Sequence, residues 1–158
     1  MTASRVDVLY RPVLVANPAV GAEFSITPQN CAGWLIRHLK FLLTTSAVAA
    51  NRVPMLTVDD GTNVYARFVP AANQAASLAI NYAANPGASR GSATGTGTAV
   101  DWPTDGLWLP QGHVLRSATD ARDGGDQFSA IAFVAIEFPT TTPFVVWPFV
   151  NTLTQATE

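Results

Sequence analysis

The sequence predicts an all-β protein, an antiparallel jelly-roll-like β-sandwich with extended N- and C-terminal arms. Three observations lead there. Proline and glycine, 11 of each in 158 residues, cut the chain into short pieces, as turns between strands do. Between the cuts, apolar residues recur with a period of two. About eight such segments succeed one another with turn signals between them and no capped helix, the pattern of a two-sheet sandwich.

The first segment, residues 23–27, is a short strand ended by Pro28-Gln29-Asn30. Residues 34–45 come next. A strand there turns Leu39, Phe41 and Leu43 inward and His38 and Lys40 outward. A helix is the competitor, because Leu35, Leu39, Leu42 and Leu43 share a helical face. The missing N-cap and the run into Thr44-Thr45-Ser46 favour the strand.

Residues 52–58 and 64–69 flank Asp59-Asp60-Gly61-Thr62-Asn63, and Asp-Gly supplies the positive φ of a hairpin turn. Leu56 and Val58 face the core on one arm; Val64 and Phe68, or Tyr65 and Val69, do so on the other. Leu78, Ile80 and Tyr82 alternate with Ala79, Asn81 and Ala83 in a further strand. Residues 85–98 form a long loop with little to bury. Residues 107–109 and 113–119 are short strands around Pro110-Gln111-Gly112. The last strand, 127–138, is apolar on both faces, which predicts a central strand covered on both sides. The chain thus divides into an N-terminal arm (1–21), a sandwich domain (22–138) and a C-terminal arm (139–158).

The arms are as apolar as the body. Leu9, Tyr10 and Val13 lie in the first, and Phe144, Trp147 and Phe149 in the second. Apolar ends left in water are sticky, so these six residues are the candidate partner-binding residues. Three prolines in the last twenty residues favour an extended tail over a helix.

Composition excludes several classes. The charged fraction is 13%, about half the usual value. That fits a surface that meets protein, or a Ser/Thr/Asn-rich β surface. Lys40 is the only lysine, net charge is −2, and no basic stripe exists to neutralise phosphates, so nucleic acid is not an expected partner. Cys31 is the only cysteine and reads as a small buried hydrophobe. Neither a secretion signal nor a membrane span is visible, so a product made in the cytoplasm is expected, with no membrane partner.

Candidate sites are few. Asp120-Ala121-Arg122-Asp123-Gly124-Gly125-Asp126 offers carboxylates to Ca²⁺, but its spacing is not that of an EF-hand and Asp/Gly content is what a tight turn needs. Asp59 and Asp60 read as turn residues before they read as an acid/base pair. His38 and His113 lack metal spacing, and no nucleophile-elbow motif occurs. The Gly91–Gly97 stretch lacks the lysine of a phosphate-binding loop. Trp34, Tyr82, Trp102 and Trp108 are candidates for a sugar-stacking platform, against core filling. No catalytic residue, metal or cofactor is assigned, and the expectation is a chain that is not an enzyme.

Trp34-Leu35-Ile36-Arg37-His38-Leu39-Lys40-Phe41-Leu42-Leu43-Thr44-Thr45-Ser46, Ala49-Ala50-Asn51-Arg52-Val53-Pro54 and Val58-Asp59-Asp60-Gly61 together resemble small structural proteins of tailed bacteriophages. Leu109-Pro110-Gln111-Gly112-His113 and Gly125-Asp126-Gln127-Phe128-Ser129 extend the resemblance over roughly residues 22–138 and not over the arms. It implies a jelly-roll capsid decoration (cement) protein, often a homotrimer, that binds the major capsid protein on the virion exterior. Some relatives are instead head-fibre, tail or receptor-binding components, for which a carbohydrate-binding jelly roll is the alternative.

Overall fold

The computed structural model describes residues 10–70, 72–86 and 97–140. These residues form ten strands and no helix. In chain order the strands are β1 (Tyr10–Leu14), β2 (Ser25–Ile26), β3 (Gly33–Thr44), β4 (Val53–Asp59) and β5 (Val64–Phe68). Then come β6 (Ala79–Ala84), β7 (Gly97–Val100), β8 (Leu107–Pro110), β9 (Val114–Asp120) and β10 (Gln127–Phe138). The all-β expectation holds, and the strands make a sandwich of two sheets. One has the order β1-β10-β3-β6-β7, with β8 pairing the other half of the β3 edge; the second has the order β2-β9-β4-β5.

With β6 and β7 set aside, the antiparallel pairing is nested. The first strand pairs with the last, β2 with β9, β3 with β8 and β4 with β5. The β6–β7 pair is parallel. Strand β7 begins inside the stretch expected to be loop. Its Ala99 and Val100, just past that stretch, are buried, and only Gly97 and Thr98 of the expected loop belong to the strand.

Strand β3 settles the helix–strand competition. Leu39, Phe41 and Leu43 are buried and His38 and Lys40 exposed, the two-residue period of a pleated strand. Leu42, which a helix would turn inward, is only half-buried. The core is built between the sheets, where Phe24, Phe41 and Phe128 form a three-way cluster with ring centroids 5.3–5.7 Å apart. Tyr82 stacks on Phe41 at 5.0 Å. On the hairpin, Leu56 and Val58 are buried, and Ala66 and Phe68 pack against the core. Val64 is exposed, as is Tyr65, because the register shifts by a bulge between Val58 and Asp59.

Two bulges reset the faces of the large sheet. Arg37 is an extra residue in β3, between the pairs Ile36–Ala135 and His38–Val134. In β10 the pairing slips between Ser129 and Ala132, where Ala130 has φ 50°. The slip puts Phe128, Ile131, Phe133 and Ala135 on the core side. Without it Phe128 would share a face with Ala132, Val134 and Ile136. A left-handed alanine is strained relative to glycine. Ala130→Gly is therefore expected to raise stability by about 0.5 kcal/mol, read as a higher urea midpoint with an unchanged slope.

The N-terminal arm is not separate from the body over its described residues. Strand β1 pairs with β10 from Tyr10–Ile136 to Leu14–Ala132. Val15 N–H donates to the Ile131 carbonyl (2.9 Å) and Gly21 N–H to the Asp126 carbonyl (2.7 Å). Asn17 Oδ1 accepts from the bulged Ala130 N–H (3.2 Å), and Gln127 Nε2 donates to the Pro18 carbonyl (2.9 Å). Gly21, at φ 70°, lies so close to Gly124 that a Cβ would sit 2.6 Å from its carbonyl oxygen. Over residues 10–21 the arm is thus an edge strand of the sandwich and the turn that follows it, and the boundary drawn after residue 21 moves toward the start of the chain.

Candidate interaction surface

Most sequence candidates are dispersed by the fold. Asp126 is buried and faces Arg52, while Asp123 accepts the Gly125 N–H at 2.9 Å. The 120–126 carboxylates therefore serve a turn. At the hairpin, Asp59 accepts from Gly61 N–H (2.9 Å) and pairs with Arg116 (2.6 Å). Asp60 accepts from the N–H groups of Thr62 (2.8 Å) and Asn63 (2.7 Å) and from the Tyr65 hydroxyl. The Tyr65 hydrogen bond, then those backbone donors, hold the Asp60 carboxyl well below the usual carboxylate range. His38 bonds Asn85 at 3.1 Å on β3, whereas His113 sits beside Tyr65 with rings 5.2 Å apart. Among the described residues no group of three His, Cys, Asp or Glu is placed to hold a metal ion. Cys31 is buried, and burial pushes its thiol up, with the Glu137 charge adding to the effect.

The four candidate stacking aromatics do not share a surface. Trp102 is buried, donating Nε1–H to the Ile36 carbonyl (3.3 Å) and packing on Phe68. The Tyr82 hydroxyl donates to Gln74 Oε1 at 3.0 Å in the core. Trp34 packs against Phe133, so Trp108 alone of the four reaches the surface substantially. Core filling claims the others.

What the fold does assemble is an apolar face on the large sheet, on the side away from the smaller sheet. Partners opposite one another in a ladder point the same way, so the register builds rows. One row crosses four strands as Tyr10, Ile136, Leu35 and Trp108. The next carries Pro12, Val134 and His38, and a third Leu14, Ala132, Lys40 and Ala83. Below the first row, Phe138 meets Trp108 edge-to-face at 5.1 Å. Gly33 makes this possible: a Cβ there would stand 2.7 Å from the Trp108 ring. Leu14 is 86% exposed, Tyr10 63%, Trp108 46% and Phe138 38%. Between β1, β10 and β3 lies a groove of 380 Å³ lined by Pro12, Leu14, Ala132 and Val134, with Lys40 and His38 at its edge.

This face corrects the expectation that β10 is covered on both sides. β10 is central within its sheet, but no described residue forms a layer over its outer side chains. The apolar repeat was legible; its partner lies outside what period and length convey. Of the six candidate partner-binding residues, Tyr10 stands on this face. Val13 does not, since it pairs with Phe133 and packs against the core. Leu9, Phe144, Trp147 and Phe149 lie outside the described residues. The sequence reading took Trp108 as a stacking candidate and missed Leu14 and Phe138 as partner-binding residues; the signal for Leu14 is the alternation Tyr10, Pro12, Leu14.

Strand β1 is also the edge of its sheet, and no described residue pairs with its far side. Pro12 at its centre removes one backbone donor, as edge strands tolerate. No helix among the described residues is long and apolar enough to cross a membrane. No protein-family model, curated protein or solved structure matches the chain.

Proposed function

We propose that this chain is a structural protein of a tailed-phage virion, a decoration protein that binds the major capsid protein on the shell exterior as a homotrimer. The observation that carries this reading is the β1 side of the large sheet, an edge with which no described residue pairs, bordering an exposed apolar face. An edge of this kind accepts a partner's strand through main-chain hydrogen bonds, while apolar side chains beside it supply area. Monomeric proteins seldom leave so many large apolar groups together in water. The nested pairing of eight strands supports the jelly-roll form, and the resemblance of residues 22–138 to small phage structural proteins supplies the setting. In a trimer, three modest contacts with the shell multiply into firm attachment.

The test is the copy number of this protein relative to the major capsid protein in purified virions, by quantitative mass spectrometry. A ratio of one copy per capsid subunit, or a simple fraction of it, is expected. A handful of copies per particle would overturn decoration and assign the protein to a vertex, tail or fibre. Absence from virions would end the reading altogether.

A further inference from the structure

We infer that the outer face of the large sheet is a self-association surface, covered by the 143–150 segment of a second copy. The inference deepens the homotrimer of the capsid reading: it gives the face to a second copy and leaves the β1 edge for the shell, and a self-associating protein found outside virions would overturn the capsid reading alone. It rests on three features: the face itself, the point at which the chain leaves it, and the composition of the residues beyond that point.

The chain leaves from the face. Phe138, the last residue of β10, touches Trp108 there, and Pro139 comes next. From the Phe138 row to the Ala132 row is six residues, about 20 Å of strand. Residues 141–158, extended, span up to about 60 Å. That is enough to leave one body and cross the whole face of another.

The segment suits the face chemically. Residues 141–157 contain no charged side chain, and Phe144 to Val150 are apolar at every position. Pro143 and Pro148 lack N–H groups, which lowers the cost of laying extended backbone on a sheet face, where no ladder satisfies it.

A second copy is favoured over the chain's own body by the same pattern. An extended segment turns alternate residues to opposite sides. If Phe144, Val146, Pro148 and Val150 met their own sheet, Val145, Trp147 and Phe149 would be left in water. A segment held between two copies buries both sets. Exchange of two such segments would be reciprocal, as a two-fold assembly requires, and the same contact closes a ring if the rotation suits.

The experiment uses full-length chains in sedimentation velocity over a concentration series. Leu14→Glu spoils the face and Trp147→Glu the segment; Leu14 is 86% exposed, so its replacement leaves the core intact. The unaltered chain is expected to self-associate, and each variant to do so on the order of 100-fold more weakly, with unchanged circular dichroism. Mixing the two variants is then expected to restore association, since an intact face meets an intact segment in mixed pairs. A monomeric unaltered chain would overturn the inference, whether its own segment or another partner covers the face. Association that survives both substitutions, or variants that do not rescue each other, would overturn it too.

Discussion

Asp126→Ala is expected to destabilise the fold by about 3–5 kcal/mol. Arg52 and Asp126 form an ion pair in which both are essentially excluded from solvent, at 0% and 1% exposure. Arg52 Nε–H donates to Asp126 Oδ2 (3.0 Å) and an Nη2 hydrogen to Oδ1 (3.2 Å). Its remaining donors reach the carbonyls of Val48 (2.7 Å) and Ala50 (3.0 Å) and the Ser46 hydroxyl (3.0 Å). All five guanidinium hydrogens are thereby used. Asp126 also accepts from the N–H groups of Ser46 (2.8 Å) and Asp123 (2.9 Å). Removing the carboxylate strands a buried cation and two backbone donors together. Against a typical total of roughly 5–15 kcal/mol, that is a large share. Urea denaturation of the two proteins at neutral pH checks it.

The pair also sets a pH dependence. Burial pushes the Asp126 carboxyl up, but the N–H donors of Asp123 and Ser46 and the Arg52 guanidinium together outweigh it, so the group titrates below its ordinary value of 3.8. A lowered folded value means the unfolded chain binds the proton first as pH falls. The stabilisation is present above the unfolded value and is lost as pH drops through the folded one. Unaltered protein is expected to lose stability below pH 4 more steeply than Asp126→Ala. Parallel acid profiles would show that the carboxylate is not the group responsible.

Phe41→Ala is expected to cost about 3–5 kcal/mol. Its ring contacts Phe24, Phe128 and Tyr82, with centroids 5.0–5.7 Å away. It therefore joins β3, β6 and β10 of the large sheet to the chain entering β2 of the small one. The cavity is bounded by strands on both sides, so the walls cannot collapse far. The urea midpoint should fall with the slope unchanged. Phe41→Leu refills most of the volume and is expected to cost about 1–1.5 kcal/mol. Equal losses for the two would mean that ring contacts rather than volume carry the effect.

Local chemistry made much of this chain legible. The Asp59–Asn63 turn was readable because Gly61 supplies φ 89° and the two aspartates satisfy the turn's N–H groups. The face of β3 from Leu39 to Leu43 was readable because the strand period is two. Strand β10 was readable end to end from its apolar run. The carboxylates of 120–126 were correctly read as turn residues, although nothing local shows that Asp126 closes on Arg52.

Tertiary structure decided the rest. The Arg52–Asp126 pair joins residues far apart in the chain, and a charge carries no local mark of its partner. The docking of residues 10–21 on β10 depends on the bulge at Ala130, which only pairing reveals. Strand β7 exists because β6 offers it a parallel edge. The exposed face depends on which side of β10 the smaller sheet covers. An apolar repeat states that a side chain avoids water, not what it meets; sheet order, bulges and layering decide that, and here they leave Leu14, Trp108 and Phe138 facing out.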